Sequence, residues 1–99
     1  MGMLSKAIAF AEECGITVEK AHLPRIRAVA IPTETRWVIG IDPEAFDTES
    51  DAAEAVAHEI GHILTGAVYD YESSERRRMR DERKANRAAH CIMNLIERR

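Results

Sequence analysis

The chain predicts an α+β fold, a small twisted sheet of about three strands packed against three helices. Three observations lead there. Ninety-nine residues allow one domain with a single small core. Short runs rich in β-branched residues lie between Thr17 and Ile41. Segments of helical periodicity flank those runs on both sides, which is the arrangement of helices set against a compact sheet.

Taken in order, Leu4 to Cys14 reads as a helix with Leu4, Ala7, Ile8 and Ala11 on one face and Gly15 as its stop. Thr17-Val18-Glu19 is a weak strand, Arg25 to Ile31 a better one and Trp37 to Ile41 the best. Pro32 to Arg36 joins the last two as a hairpin, and Asp42-Pro43 ends the sheet. Thr48 and Asp51 then have the spacing of a capping box, with Asp in place of the usual Glu or Gln. Glu49 and Asp51 suit the positive end of the helix dipole. Gly66 supplies the stop, giving a helix of about 17 residues. From Ser73 or Ser74, either a suitable N-cap, a last helix runs to about Ile96. There are no internal repeats and no low-complexity segments, so the expectation is one minimal domain over residues 1–99.

The second helix carries the chemistry. His58-Glu59-Ile60-Gly61-His62 places two histidines four apart, so both imidazoles project from one face and reach one metal ion. Glu59 lies at the edge of that face, positioned to handle a proton without ligating. With 4 histidines in 99 residues, the motif would arise by chance in about two of a hundred shuffled chains, so its helical context decides. On the helical wheel Val56, Ile60 and Ile63 share the core face with Ala52 beside them. His58 and His62 point the opposite way, with Ala55, Asp51, Glu54 and Thr65.

Two histidines leave a catalytic zinc one protein ligand short. Downstream candidates are Asp70, Glu72, Glu75, Asp81, Glu82, His90 and Glu97. The last helix has an apolar stripe of Met79, Ala85, Ala89, Met93 and Ile96, and Glu82 and Asn86 fall in its middle, one turn apart. A carboxylate on an inward stripe needs a partner, and a metal ion on the neighbouring helix supplies one. Asp81 is about 100° and His90 about 80° off that stripe. Glu82 is therefore the expected third ligand, and Asn86 is placed to accept the free Nδ1–H of a ligand histidine. Tyr69 and Tyr71, between the two ligand helices, are candidate donors to an oxyanion.

His58-Glu59-x-Gly61-His62 followed by Glu82-x-x-Ala85-Asn86-x-x-Ala89 resembles the ImmA/IrrE family of zinc metallopeptidases, within the broader gluzincin group. The likeness extends upstream through Gly15-Ile16-Thr17-Val18, Leu23-Pro24 and the strand Trp37 to Asp42, and so covers about residues 4 to 93. It implies a zincin-like core, one Zn2+ per chain held by His58, His62 and Glu82, and Glu59 as general base. It further implies a regulatory protease acting on a protein or peptide, such as a helix-turn-helix repressor of a phage or mobile element. Two departures bear on substrate binding: Ala88 stands where the family usually has Phe, and Ile92-Met93-Asn94-Leu95 replaces a Leu-Leu-Met-Pro-like continuation. A different class of function on the same scaffold is a catalytically silent metal-binding module that antagonises a repressor by binding it.

Composition narrows the remaining classes. Hydrophobic residues at 45% and charged residues at 31% fit a globular rather than a disordered chain. No apolar run is long enough for a membrane span, and Ala7 to Ala11 is too short for a signal segment, so a cytoplasmic protein without a membrane partner is expected. Cys14 and Cys91 lack neighbouring ligands and read as reduced, partly buried thiols. The net charge of −3 is asymmetric, since Arg76-Arg77-Arg78-Met79-Arg80 opens a basic last helix after an acidic body. Without interleaved aromatics or a helix-turn-helix, that helix reads as a solvated arginine face rather than a nucleic-acid contact.

Overall fold

Helix α1 spans Met3–Glu13, followed by strands β1 (Thr17–Lys20), β2 (Ala28–Pro32) and β3 (Trp37–Ile41), then helices α2 (Glu49–Thr65) and α3 (Glu75–Glu97). A 3-10 turn, Pro43–Ala45, leads from the sheet toward α2. The computed structural model describes residues 2–66 and 75–99, and the side chains of 75–78 are excepted. The α+β architecture of three strands and three helices is thus the one the sequence predicts.

Helix α1 forms because Leu4, Ala7 and Ala11 fall on one face and are buried there. Its own first turn has no acidic residue, but the Glu49 carboxylate from α2 accepts the Leu4 N–H at 3.2 Å. The helix stops at Gly15, whose φ of +79° is open to glycine at little cost. At its other side the Arg99 guanidinium grips the Glu13 carboxylate through two contacts of 2.9 and 2.6 Å, tying the end of α3 to the end of α1. That hydrogen bond is the main reason the Glu13 carboxyl is held below its ordinary range. Both groups face solvent, so the pair fixes position more than it adds stability.

The strand order is β1-β3-β2, with β1 parallel and β2 antiparallel to β3. The hairpin between β2 and β3 forms as expected. Its turn is closed by Thr33 N–H to the Arg36 carbonyl at 2.8 Å and by the Thr33 hydroxyl to the same oxygen at 2.7 Å. β2 starts at Ala28 rather than Arg25, because its pairing with β3 begins where Ala28 meets Ile41. Central β3 is the most apolar strand, and Ile39 and Ile41 are fully buried beneath α2. Asp42 closes it: its carboxylate accepts the Leu23 N–H at 3.0 Å and the Glu44 N–H at 3.1 Å, and lies 3.3 Å from His22 Nδ1. The Leu23 bond chiefly holds this acid below its ordinary range. What Asp42 adds to stability is therefore present above the usual carboxylate range and is lost as pH falls through its lowered value.

Helix α2 begins where Thr48 accepts the Asp51 N–H at 3.0 Å and ends at Gly66, with φ of +69°. Ala52, Val56 and Ile60 pack into the core, as the wheel predicts, joined by Ala53 and Ala57. Ala85, Ala89, Met93 and Ile96 of α3 are buried in line with the predicted stripe, but Met79 is not: it is 53% exposed, while Ile92 is buried. The reason lies in the surroundings. Arg99 ties the C-terminal end of α3 to Glu13 of α1, and Ile92 shares the buried cluster with Leu4, Ala7 and Ala11 of α1, whereas Met79 lies outside it. Cys14 and Cys91 are free thiols as expected, though exposed rather than partly buried. No described helix is long and apolar enough to cross a membrane.

Candidate metal centre

Helices α2 and α3 approach closely at Gly61. A methyl group there would stand 2.6 Å from the Ala85 carbonyl oxygen and 3.3 Å from the Ala85 Cα. Real Cβ atoms do not tolerate such a distance to rigid backbone, so glycine is what permits the crossing. Ala85 is fully buried at the contact. One turn from it on α3 stands Glu82, while His58 and His62 flank Gly61 on α2. The small pair Gly61–Ala85 thus brings three ligand side chains within reach of one another.

His58 Nε2 and His62 Nε2 lie 2.9 Å apart, with the rings edge-on at 83° and centroids 4.6 Å apart. Glu82 bridges them: Oε2 is 3.3 Å from His58 Nε2 and Oε1 is 3.1 Å from His62 Nε2. One ligand atom from each residue falls within 4.8 Å of the others. Donors held by a tetrahedral ion at about 2.0–2.1 Å lie about 3.3 Å apart, close to this spacing. Two imidazoles and a carboxylate are also a donor set that suits a borderline divalent ion. The three residues expected from the sequence as ligands therefore fit a metal ion.

Burial differs among them. His62 is 8% exposed, in the groove between the helices. His58 and Glu82 keep side-chain exposures of 29% and 39%, so the cluster is open to solvent on their side. Glu59 is half-buried beside the cluster. Desolvation pushes its carboxyl above the ordinary range, the fields of His62 and His58 oppose this, and the like charge of Glu82 adds to it. A divalent cation held by the three ligands acts in the same sense as the histidine fields. The Thr65 hydroxyl, on the last turn of α2, donates to the Gly61 carbonyl at 2.7 Å.

Asn86, the expected acceptor of a histidine Nδ1–H, is exposed and lines a cavity beside His58. Tyr69 and Tyr71, the candidate oxyanion donors, lie outside the described residues, as do Asp70 and Glu72 among the alternative ligands. Two contributions escape the sequence reading. Gly61 was legible as part of a motif but not as the contact that sets the helix crossing. His90, weighed as a ligand, instead joins Glu54 in the wall of the cavity beside His58; their one-turn spacing from Asn86 and His58 is the signal that could have found it.

Comparison with known protein families, curated proteins and solved structures finds no match for this chain.

Proposed function

We propose that this protein is a zinc-dependent metallo-endopeptidase. The observation that carries the reading is the convergence of His58, His62 and Glu82 within 4.8 Å, with Glu59 half-buried alongside. Two histidines and a glutamate are the ligand set of a catalytic zinc that keeps one coordination position open. When bound, zinc supplies Lewis acidity, polarising a peptide carbonyl and lowering the pKa of a water.

The chain's own groups do the rest. Glu59 takes a proton from the attacking water onto its carboxylate and returns it to the departing amine, a task suited to a carboxylate half-buried beside the ligands. The open side at His58 and Glu82 admits substrate, and the buried His62 holds the inner position. Strand β2 is an edge of the sheet and packs on α2, so an extended peptide adding to that edge runs past the motif helix. The resemblance to ImmA/IrrE metallopeptidases extends this reading to a regulatory protease, with a helix-turn-helix repressor as the substrate to try first.

The test compares zinc-loaded wild-type protein with Glu59→Gln on casein and on a candidate repressor, reading cleavage by mass spectrometry and zinc content by elemental analysis. Cleavage by the wild type, reduced at least about 100-fold in the variant at unchanged zinc content, is expected. Equal cleavage by both refutes Glu59 as the base. A wild type that binds the repressor without cutting it replaces the peptidase with the silent binding module.

A further inference from the structure

Beside the metal ligands, α2 and α3 enclose a cavity of about 410 Å³. Glu54 and His58, one turn apart on α2, form one wall, and Asn86 and His90, one turn apart on α3, form the other. Ala89 and Met93, each 9% exposed, make its apolar floor. Because His58 belongs both to this wall and to the ligand cluster, whatever fills the cavity abuts the reaction centre.

Glu54 is exposed and forms no ion pair among the described residues. It is also the one acid on the described cavity wall, and no lysine or arginine stands there with it. We propose that this cavity, within the peptidase reading above, seats a lysine or arginine side chain of the peptide substrate next to the scissile bond. The aliphatic stem lies over Ala89 and Met93, and the cationic head reaches Glu54.

Three considerations select that occupant. The volume lies at the small end of ligand cavities, enough for one long side chain and the water around its head. Lysine and arginine bury their stems on apolar surface while keeping the charge hydrated, which matches an apolar floor under a polar rim. A cation at Glu54 gains a charge-assisted hydrogen bond, whereas an acidic side chain is repelled and an aliphatic one only strips water from Glu54, Asn86 and His90. Arg83 and Arg87 are exposed and line an adjoining groove that shares Asn86 with this cavity.

The experiment has a binding arm and a cleavage arm. In the first, zinc-loaded Glu59→Gln protein is titrated with blocked alanine pentapeptides whose central residue is lysine, norleucine or glutamate, and the Met93 methyl resonance is followed. The lysine peptide is expected to bind about two- to fivefold more tightly than norleucine, as an ion pair with an exposed carboxylate allows. It should also shift the Met93 methyl, and Glu54→Gln should erase the preference. Equal binding of lysine and norleucine, a lysine preference that survives Glu54→Gln, or a preference that leaves Met93 unmoved overturns the assignment. In the second arm, wild-type cleavage sites in a mixed peptide pool are expected to be flanked by a basic residue, and Glu54→Lys to reverse that bias toward acidic residues. Cleavage without charge bias refutes the cavity and spares the peptidase. Absence of cleavage alongside the lysine preference in binding refutes the peptidase and supports the cavity.

Discussion

A methyl group on Gly61 sets two effects against each other. Replacing glycine by alanine inside a helix normally gains about 1 kcal/mol. Here the added carbon meets the Ala85 carbonyl at 2.6 Å, and a backbone atom yields only if the whole of α3 moves. Overpacking of that kind costs about 1–3 kcal/mol, so the loss prevails. Gly61→Ala is therefore expected to lower stability by up to about 2 kcal/mol in urea unfolding and to weaken zinc binding, because α3 carries Glu82 away from His58 and His62. A variant that is more stable and binds zinc as tightly as the wild type would show that the crossing is not set here. At this scale the sequence discloses what is local. The four-residue spacing of His58 and His62 fixes their common face, and Glu82 stands out as an acid on an apolar stripe. The demand on Gly61 comes from a carbonyl on another helix, and no local pattern records it.

Helix ends follow the same division. Thr48, Gly15 and Gly66 act on their own neighbours, and all three terminate helices where the chain predicts. Which residues of a stripe are buried depends on what packs against them, and α3 shows the difference. Periodicity alone admits Met79 to the stripe, yet it is 53% exposed, whereas Ile92 is 4% exposed. Ile92 belongs to the buried cluster that includes Leu4, Ala7 and Ala11 of α1, and Met79 lies outside that cluster. Ile92→Ala is accordingly expected to cost about 2–5 kcal/mol, the range for emptying a buried branched side chain. Met79→Ala should change stability by no more than about 0.5 kcal/mol, as surface substitutions do. Chemical denaturation of the two variants checks this directly. A large loss from Met79→Ala would return that residue to the core and require α3 to be rotated from its observed setting.

Across the whole molecule, the order β1-β3-β2 was the least legible feature, because parallel pairing of Thr17–Lys20 with β3 joins segments separated by the intervening β2. The number of strands is written in runs of β-branched residues, but their neighbours are chosen by tertiary packing. That packing also makes the metal centre a property of the fold, since its ligands come from two helices held together by the Gly61–Ala85 contact and by α1 bridging to α3. An unfolded chain does not hold His58, His62 and Glu82 in this arrangement, so a metal ion held by them would bind the native state preferentially and stabilise it by mass action. At a hundredfold excess over its dissociation constant that linkage is worth about 2.7 kcal/mol. For a domain of this size each kcal/mol moves Tm by about 4–8 °C. Zinc addition to chelator-stripped protein is thus expected to raise Tm by about 10–20 °C, and Glu82→Ala to remove most of the rise. Glu82 keeps 39% of its side chain exposed, so its removal should leave the melting of the stripped chain nearly where it was. Calorimetry on both proteins, with and without zinc, decides the matter. If the zinc-induced shift is undiminished in Glu82→Ala, the ion is held by other groups, and the convergence of α2 and α3 at this carboxylate has no part in binding it.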